Sequence, residues 1–243
     1  MSAPLRIAVV GCGYWGKKLA RTVAAVPDVE LVAVCDPHPA RVEAAARGLR
    51  GGRRTTRVGD VLGDATVDAV ALATPVAPHR ALGEAALGAG KHLWIEKPLA
   101  DSVEDADALV SAARALDRRL LVAHTFVSPV KLRRVTMAGT RRMLVYDDVA
   151  RGPKLRIHDV GADAPPGGEP ISYRRGGSWS PRIESAEALT LAAADLAAAV
   201  RDERPPVSDG RLGLDGVRAL AAAQRSIEKD GVFAGVAEPP AAP

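Results

Sequence analysis

With 243 residues, 47% of them hydrophobic, the chain can bury a real core as one large domain or two modest ones. Aromatic residues are only 3% of the total, so that core must be aliphatic, and the composition argues against single-strand nucleic-acid binding by base stacking. A formal charge of +4 admits anionic ligands such as phosphates but is too small and dispersed for a DNA track, and pairs such as Arg53-Arg54 and Arg141-Arg142 read as solvated faces. No run approaches the apolar length of a membrane span, and the first residues enter a strand without a signal-peptide layout; a cytoplasmic protein with no membrane or nucleic-acid partner is expected. Cys12 and Cys35 sit beside the ends of the first two strand candidates, where no disulfide is needed, and both are read as reduced. No metal site is read.

From Leu5 to about Thr125, short β-branched runs alternate with Ala-rich amphipathic segments, the rhythm of parallel strands joined by crossover helices. The strand candidates are Leu5–Val10, Glu30–Cys35, a weaker Thr55–Val58, Ala69–Ala73, His92–Ile95 and Leu120–Ala123, nearly all apolar as befits strands covered on both faces. The helix candidates between them are Tyr14–Ala25, Pro39–Leu49, Pro78–Ala89 and Ser102–Leu116, the last capped by Asp101 or Ser102; Gly90 follows the third, where a left-handed cap is often needed. After Phe126 the pattern changes to Val130–Thr136, Met143–Asp147, Leu155–Val160 and Pro170–Arg174, strands separated by turns, which suggests a small antiparallel sheet. Two helices follow, Glu184–Arg201 with Leu189, Ala193, Leu196 and Val200 on one face, and Leu214–Lys229 with Leu214, Val217, Ala221 and Gln224 in register. Glu238 to Pro243 reads as a frayed tail. The expectation is an α/β chain: a doubly wound parallel Rossmann domain, 1–125, then an α+β portion, 126–243, whose last helix packs back on the first domain.

Chemistry concentrates at the ends of the strands. Gly11-Cys12-Gly13-Tyr14-Trp15-Gly16 follows one strand directly and opens a helix, so its amides can face a pyrophosphate; a plain strand-to-helix turn is the competing reading. Asp36, twenty positions after Gly16, ends the second strand, where a carboxylate can accept from both ribose hydroxyls and repel a 2′-phosphate. That favours NAD(H) without excluding NADP(H), since His38 and Arg41 follow closely; Asp36 could equally cap the next helix before Pro37. Thr74-Pro75, with His79 after it, and Glu96-Lys97-Pro98 end two further strands, where open α/β sheets form their ligand crevice. Lys97 could polarise a carbonyl or relay a proton, and Glu96 could pair with it or orient the cofactor amide. On that tripeptide alone, a surface ion pair before a proline turn reads at least as well.

Taken in order, the glycine loop, Asp36, Ala73-Thr74-Pro75, His79, Ala89-Gly90-Lys91-His92 and Glu96-Lys97-Pro98 resemble the glucose-fructose oxidoreductase/inositol dehydrogenase (Gfo/Idh/MocA) family. The resemblance implies an NAD(P)-dependent oxidoreductase acting on a sugar, cyclitol, sugar nucleotide or related polyol. It places Lys97 at cofactor and substrate as the catalytic residue. Gly11, Gly13, Tyr14, Trp15, Gly16, Asp36, Thr74, Pro75, His79, Glu96 and Lys97 make up the cofactor site. A homodimer formed through the second-domain sheet is also expected, because a sheet of about four strands would otherwise leave a face uncovered.

The chain departs from the family in one respect. His124-Thr125-Phe126 looks like the end of the last Rossmann strand, yet Ser128-Pro129-Val130-Lys131 already looks like a late strand of the second domain, so the member is a shortened one. No Asp-x-x-x-His occurs, and the five histidines are His38, His79, His92, His124 and His158. The family's acid/base pair has no evident replacement; His124 and His79 are nearest by strand-end logic, although His124 reads equally as a hydrogen-bonded core residue. Two alternatives follow: a dinucleotide-binding protein without turnover, and non-redox or transient-redox chemistry on bound NAD.

Overall fold

The computed structural model describes residues 3–49, 51–123, 134–163, 172–183 and 187–236. His124, Ser128 to Lys131, the first residues of two expected strands and one expected helix (130–133, 170–171, 184–186) and the tail lie outside the described residues.

The elements run β1 (Leu5–Val10), α1 (Tyr14–Val23), β2 (Val29–Cys35), α2 (Pro39–Ala46), β3 (Arg53–Thr55), α3 (Val58–Leu62), β4 (Ala69–Leu72), α4 (His79–Gly88), β5 (His92–Glu96), α5 (Val103–Ala115) and β6 (Leu120–Ala123). They continue with β7 (Arg134–Ala138), β8 (Met143–Asp147), β9 (Leu155–Asp163), β10 (Ser172–Trp179), α6 (Ala188–Arg201) and α7 (Gly210–Glu228). The first six strands form one parallel sheet in the order β3-β2-β1-β4-β5-β6, the doubly wound arrangement whose strand order reverses between β1 and β4. The last four form an antiparallel sheet in the order β10-β9-β8-β7. The fold is therefore α/β, with a small antiparallel sheet as a second structural unit, as the alternation of patterns in the sequence implies.

The weak strand at Thr55–Val58 is displaced. Strand β3 spans Arg53–Thr55, paired with Ala33 to Cys35 of β2, and Val58 already opens α3. The cause is local. Thr55 Oγ1 accepts the Arg57 N–H at 3.1 Å and donates to Asp60 Oδ2 at 2.6 Å, turning the chain out of the sheet into a helix too short to register as a periodic pattern. Of the two proposed caps, Ser102 closes the start of α5 by accepting the Asp105 N–H, and Gly90 ends α4 with φ +76°.

The chain divides into two compact units, Met1–Thr125 with Glu187–Pro243, and Phe126–Ala186. The sequence reading put α6 and α7 in the 126–243 portion; here both group with the first 125 residues because their apolar faces complete its two helical layers. On one side of the parallel sheet, Leu189, Ala193, Leu196 and Ala197 of α6 join Leu19, Val23 and Val42 of α1 and α2. On the other, Leu214 and Val217 of α7 join Leu87, Leu109 and Val61 of α4, α5 and α3. Each fully buried leucine contributes roughly 1.5–3 kcal/mol. The buried face of α7 runs through Gly210, Gly213, Leu214, Val217, Arg218 and Ala222, leaving Gln224 exposed and donating to Glu228 Oε1 rather than in the expected stripe. Arg218, buried in that face, is paired with Asp215 on its own helix and Asp107 of α5.

In the second unit, register alone assembles two apolar rows on one face. Met137, Leu144, Ile157 and Trp179 form the first, and Val135, Tyr146 and Leu155 the second. Met137 and Val135 are exposed, and Arg142 lies over the Trp179 ring with its guanidinium 5.1 Å from the centroid.

Candidate functional site

Strand β1 ends at Val10 and the chain must at once turn through a space with no room for a side chain. Gly11 has φ +92°, and a Cβ there would stand 2.6 Å from the Ala73 carbonyl oxygen; at Gly16 it would stand 1.8 Å from the Gly11 oxygen. These two glycines are demanded by packing, since the loop is clamped by Gly11 N–H donating to Cys35 O and Ala73 N–H donating to Val10 O, both at 2.8 Å. Gly13 is different. Among the described residues nothing lies within 4 Å of where its Cβ would be, and it is the N-cap of α1 without any side-chain cap. The first amides of α1 therefore have no capping side chain, an arrangement that can receive an anion.

Asp36 lies where β2 ends, almost wholly buried at 3% exposure. Its Oδ2 accepts the Cys12 N–H and its Oδ1 the His38 N–H, each at 2.9 Å, while Arg41 approaches Oδ2 at 4.0 Å. The carboxylate staples the glycine loop to the residue that opens α2; it is not a helix cap, since His38 holds the N-cap position and, among the described residues, no side chain caps that helix. Two of its roughly four acceptor directions are used. The same charge, together with burial as the larger cause, holds both neighbouring thiols protonated, pushing Cys12 up to about 12 and Cys35 up to about 11.

Gly11, Gly13, Tyr14, Trp15, Asp36, Thr74 and Pro75 line one cavity of about 690 Å³ at the carboxyl ends of the strands, beside the β1/β4 reversal. Of the proposed site residues, these are the ones the structure brings together. Gly16 sits behind them, against Gly11. The sequence reading missed part of the wall, Thr56, Val58 and Leu82, which come from the displaced β3–α3 corner and from the first turn of α4. It also missed Lys18, whose ammonium donates to Tyr14 Oη at 2.9 Å and lies 4.2 and 4.6 Å from the Tyr14 and Trp15 ring centroids. The i,i+4 and i,i+3 spacing from those aromatics was the available signal. Thr74 Oγ1 is buried without a hydrogen-bond partner among the described residues, a hydroxyl at a cavity wall with its donor unspent.

His79, Glu96 and Lys97 are not in the cavity wall. His79 is 1% exposed, with Nε2 3.2 Å from Thr74 O and Nδ1 3.1 Å from Pro98 O and 3.3 Å from Leu99 O. It is a strut that fixes the Thr74 loop to the segment after Lys97. Glu96 is buried at the end of β5, opposite Ala123 of β6. Lys97 follows it half-buried, with no ion pair and no side-chain hydrogen bond among the described residues. Because Leu72 pairs with Ile95, Lys97 leaves the sheet on the strand next to the one that carries Thr74.

The Ala89-Gly90-Lys91-His92 run serves the other end of the sheet. Lys91 Nζ donates to Asp64 O at 2.7 Å and Val67 O at 2.9 Å, and His92 Nδ1 accepts the Arg119 N–H at 3.0 Å. Of the remaining histidines, His38 caps α2 and His158 belongs to β9 in the second unit. Among the described residues no three His, Cys, Asp or Glu side chains are grouped to hold a metal, and no helix is long and apolar enough to cross a membrane.

Residues 5–124 match the model of the oxidoreductase family with an NAD-binding Rossmann fold, Gfo/Idh/MocA. Through them the chain belongs to that family. Across 120 residues, 49% of this chain and 37% of the relative, it is 37% identical to UDP-N-acetylglucosamine 3-dehydrogenase of Acidithiobacillus ferrooxidans. Across 118 residues, 48% of this chain and 35% of the relative, it is 37% identical to inositol 2-dehydrogenase 3 of Saccharopolyspora erythraea. The match thus spans little more than a third of these relatives' length. The backbone superposes on levoglucosan dehydrogenase, solved with NADH, with a TM-score of 0.77 at 14% identity, covering 97% of this chain and 100% of that one, a likeness of fold.

With both thiols buried and held protonated, an alkylating or disulfide reagent at pH 8 is expected to leave Cys12 and Cys35 unmodified in the folded protein and to modify both in denaturant. Mass spectrometry reads the outcome, and rapid labelling of the folded protein would contradict the placement of Asp36 beside them.

Proposed function

We propose that the chain is an NAD(H)-dependent oxidoreductase acting on a small polyol, cyclitol or keto-sugar, with Lys97 as its catalytic residue. The observation that carries this reading is the convergence on one cavity of uncapped helix-start amides, an anchored carboxylate and a buried hydroxyl with its donor unspent. Gly13 leaves room for a pyrophosphate against the amides of α1. Asp36 keeps two acceptor directions for the hydroxyls of a ribose, and its negative charge favours NAD(H) over NADP(H). Arg41, 4.0 Å from that carboxylate, is the group that would soften the preference. Tyr14, Trp15 and Pro75 supply flat walls, and Thr74 Oγ1 a donor or acceptor nearer β4.

When bound, the dinucleotide supplies a hydride donor or acceptor. The rest falls to the protein. Lys97, uncommitted to any carboxylate, holds a proton at Nζ beside the substrate oxygen, giving it up as a carbonyl is reduced; in the reverse direction the neutral amine takes the hydroxyl proton. His79 and Glu96 act as positioning residues, His79 by fastening Thr74 to Pro98 and Glu96 by backing Lys97 from the buried end of β5. The substrate class is taken from the sugar and inositol dehydrogenases that the first half resembles.

A second reading, a dinucleotide-binding protein without turnover, is favoured by one fact: no Asp-x-x-x-His occurs in the sequence to share proton handling with Lys97. A panel of cyclitols, aldoses and sugar nucleotides with NAD⁺, and of keto-sugars with NADH, separates the two by absorbance of the reduced nicotinamide. Turnover on one of them is expected, with Lys97→Ala lowering kcat by about 10²–10⁴ while NADH affinity holds. Activity that survives Lys97→Ala would remove Lys97 from the chemistry, and a flat response across the panel would favour the second reading.

We also propose that the chain works in the cytosol as a homodimer, the apolar rows of the β7–β10 sheet meeting their own copy. Two rows rich in exposed side chains are self-complementary about a two-fold axis. Light scattering is expected to give twice the chain mass, and Met137→Asp the monomer mass; a monomer in the unaltered protein would dismiss the dimer.

A further inference from the structure

At the amino end of β6, away from the cofactor cavity, the last turn of α5 and the first turn of α7 enclose a second recess of about 190 Å³. Its floor is tightly built. Residues 205–209 run beside β6, with Val122 N–H donating to Ser208 O at 2.9 Å and Leu121 bridging Asp209. A Cβ on Gly210 would lie 2.6 Å from Leu120 Cδ2, so α7 begins flush against the strand.

The charged lining is one-sided: Arg114, Arg118, Arg119 and Arg211 against Asp209 alone. Asp209 is already committed, its Oδ1 accepting the Leu212 N–H at 2.9 Å. Arg119 reaches outward to the exposed Asp117 through Nη1 at 2.9 Å, while its Nε, like the Nε of the adjacent Arg118, is shielded from water and without a partner among the described residues. Arg114 and Arg211 likewise have no side-chain acceptor among the described residues. Four guanidinium groups around so small a space repel one another, and two buried N–H donors without acceptors cost stability that an anion would recover. A neighbour registers the same unrelieved charge. His92, whose Nδ1 accepts the Arg119 N–H, is pushed down to about 4, by burial first and then by Arg118 and Arg119, against the opposing pull of Asp68 and Asp117.

We propose that this recess binds a phosphate-sized oxyanion, held by the unpartnered Nε donors of Arg118 and Arg119 and by the Arg114 and Arg211 guanidinium groups that line it. Guanidinium forks match the spacing of phosphate oxygens. The recess has room for one phosphate group, free or carried by a small ester, and it is a site separate from the cavity that would take the dinucleotide. The proposal does not depend on the cofactor reading.

The test titrates inorganic phosphate into the full chain at constant ionic strength set with sodium chloride, following the His92 ring by NMR and the melting temperature. The expected result is a saturable shift of the His92 resonances, a His92 titration that moves up from about 4, and a rise in Tm. Arg118→Gln and Arg211→Gln should each weaken the apparent affinity about tenfold. Arg211 is exposed, so that second variant keeps the test usable if the first fails to fold. Glycerol phosphate run in parallel distinguishes the source: tighter binding than inorganic phosphate points to an ester, weaker binding to the free ion. A His92 response no larger than chloride alone produces, or one that persists unchanged in both variants, overturns the site.

Discussion

The carboxylate of Asp36 is the joint on which the first half of this protein depends. It is buried, and a buried carboxylate must be matched by donors or be expelled. The donors are the backbone N–H groups of Cys12 and His38, so the glycine loop after β1 and the start of α2 are tied to the same two oxygens. That tie, with the Gly11 and Ala73 backbone bonds on either side, sets where the amides of α1 point before any ligand arrives. Preorganisation of this kind spares a bound dinucleotide the cost of ordering the loop. Burial first, and then the same charge, push the Cys12 and Cys35 thiols up, which favours their protonated form.

The parallel sheet divides its labour between its ends. At the carboxyl ends, the glycine loop, Asp36 and Thr74 frame an open cavity, and Lys97 emerges on the neighbouring strand with its ammonium uncommitted. At the amino ends, positive side chains are used as mortar or left in tension. Lys91 caps two carbonyls, Arg6 pairs with Asp68 at 2.7 Å, and the arginines at α5 and α7 surround a recess with too few acceptors. His79 links the framing loops by contacting three backbone carbonyls at once. Its burial explains why a residue in the most suggestive stretch of sequence is a strut and not a wall of the cavity.

Legibility in the sequence followed the strength of the local signal. β1 is found at its expected limits because a run that is apolar but for Arg6, with Pro4 before it and Gly11 after it, leaves little choice of bounds. The glycine loop and Asp36 were legible because backbone geometry at Gly11 and Gly16 permits no substitute, a constraint that writes itself into residue identity. α3 was not, being five residues long and set by a Thr55–Asp60 contact instead of by periodicity. The buried stripe of α7 shifted because Gly210 and Gly213, poor helix formers, are retained for close approach to Leu120 and Val122, which pattern alone cannot reveal. That the Asp36 carboxylate accepts from the amides of both Cys12 and His38 was not legible, because a linear sequence does not show which distant amide a side chain meets.

If a dinucleotide binds at the start of α1, its pyrophosphate needs the space over Gly13. Among the described residues nothing occupies the position of a Cβ there, so Gly13→Ala should leave the fold and its melting temperature essentially unchanged. Titration of NADH, followed by its fluorescence, should give saturable binding to the unaltered chain and an affinity about tenfold or more weaker in the variant, as the added methyl holds the pyrophosphate away from the amides of α1. Equal affinity in the two proteins, with both folded, would contradict the account.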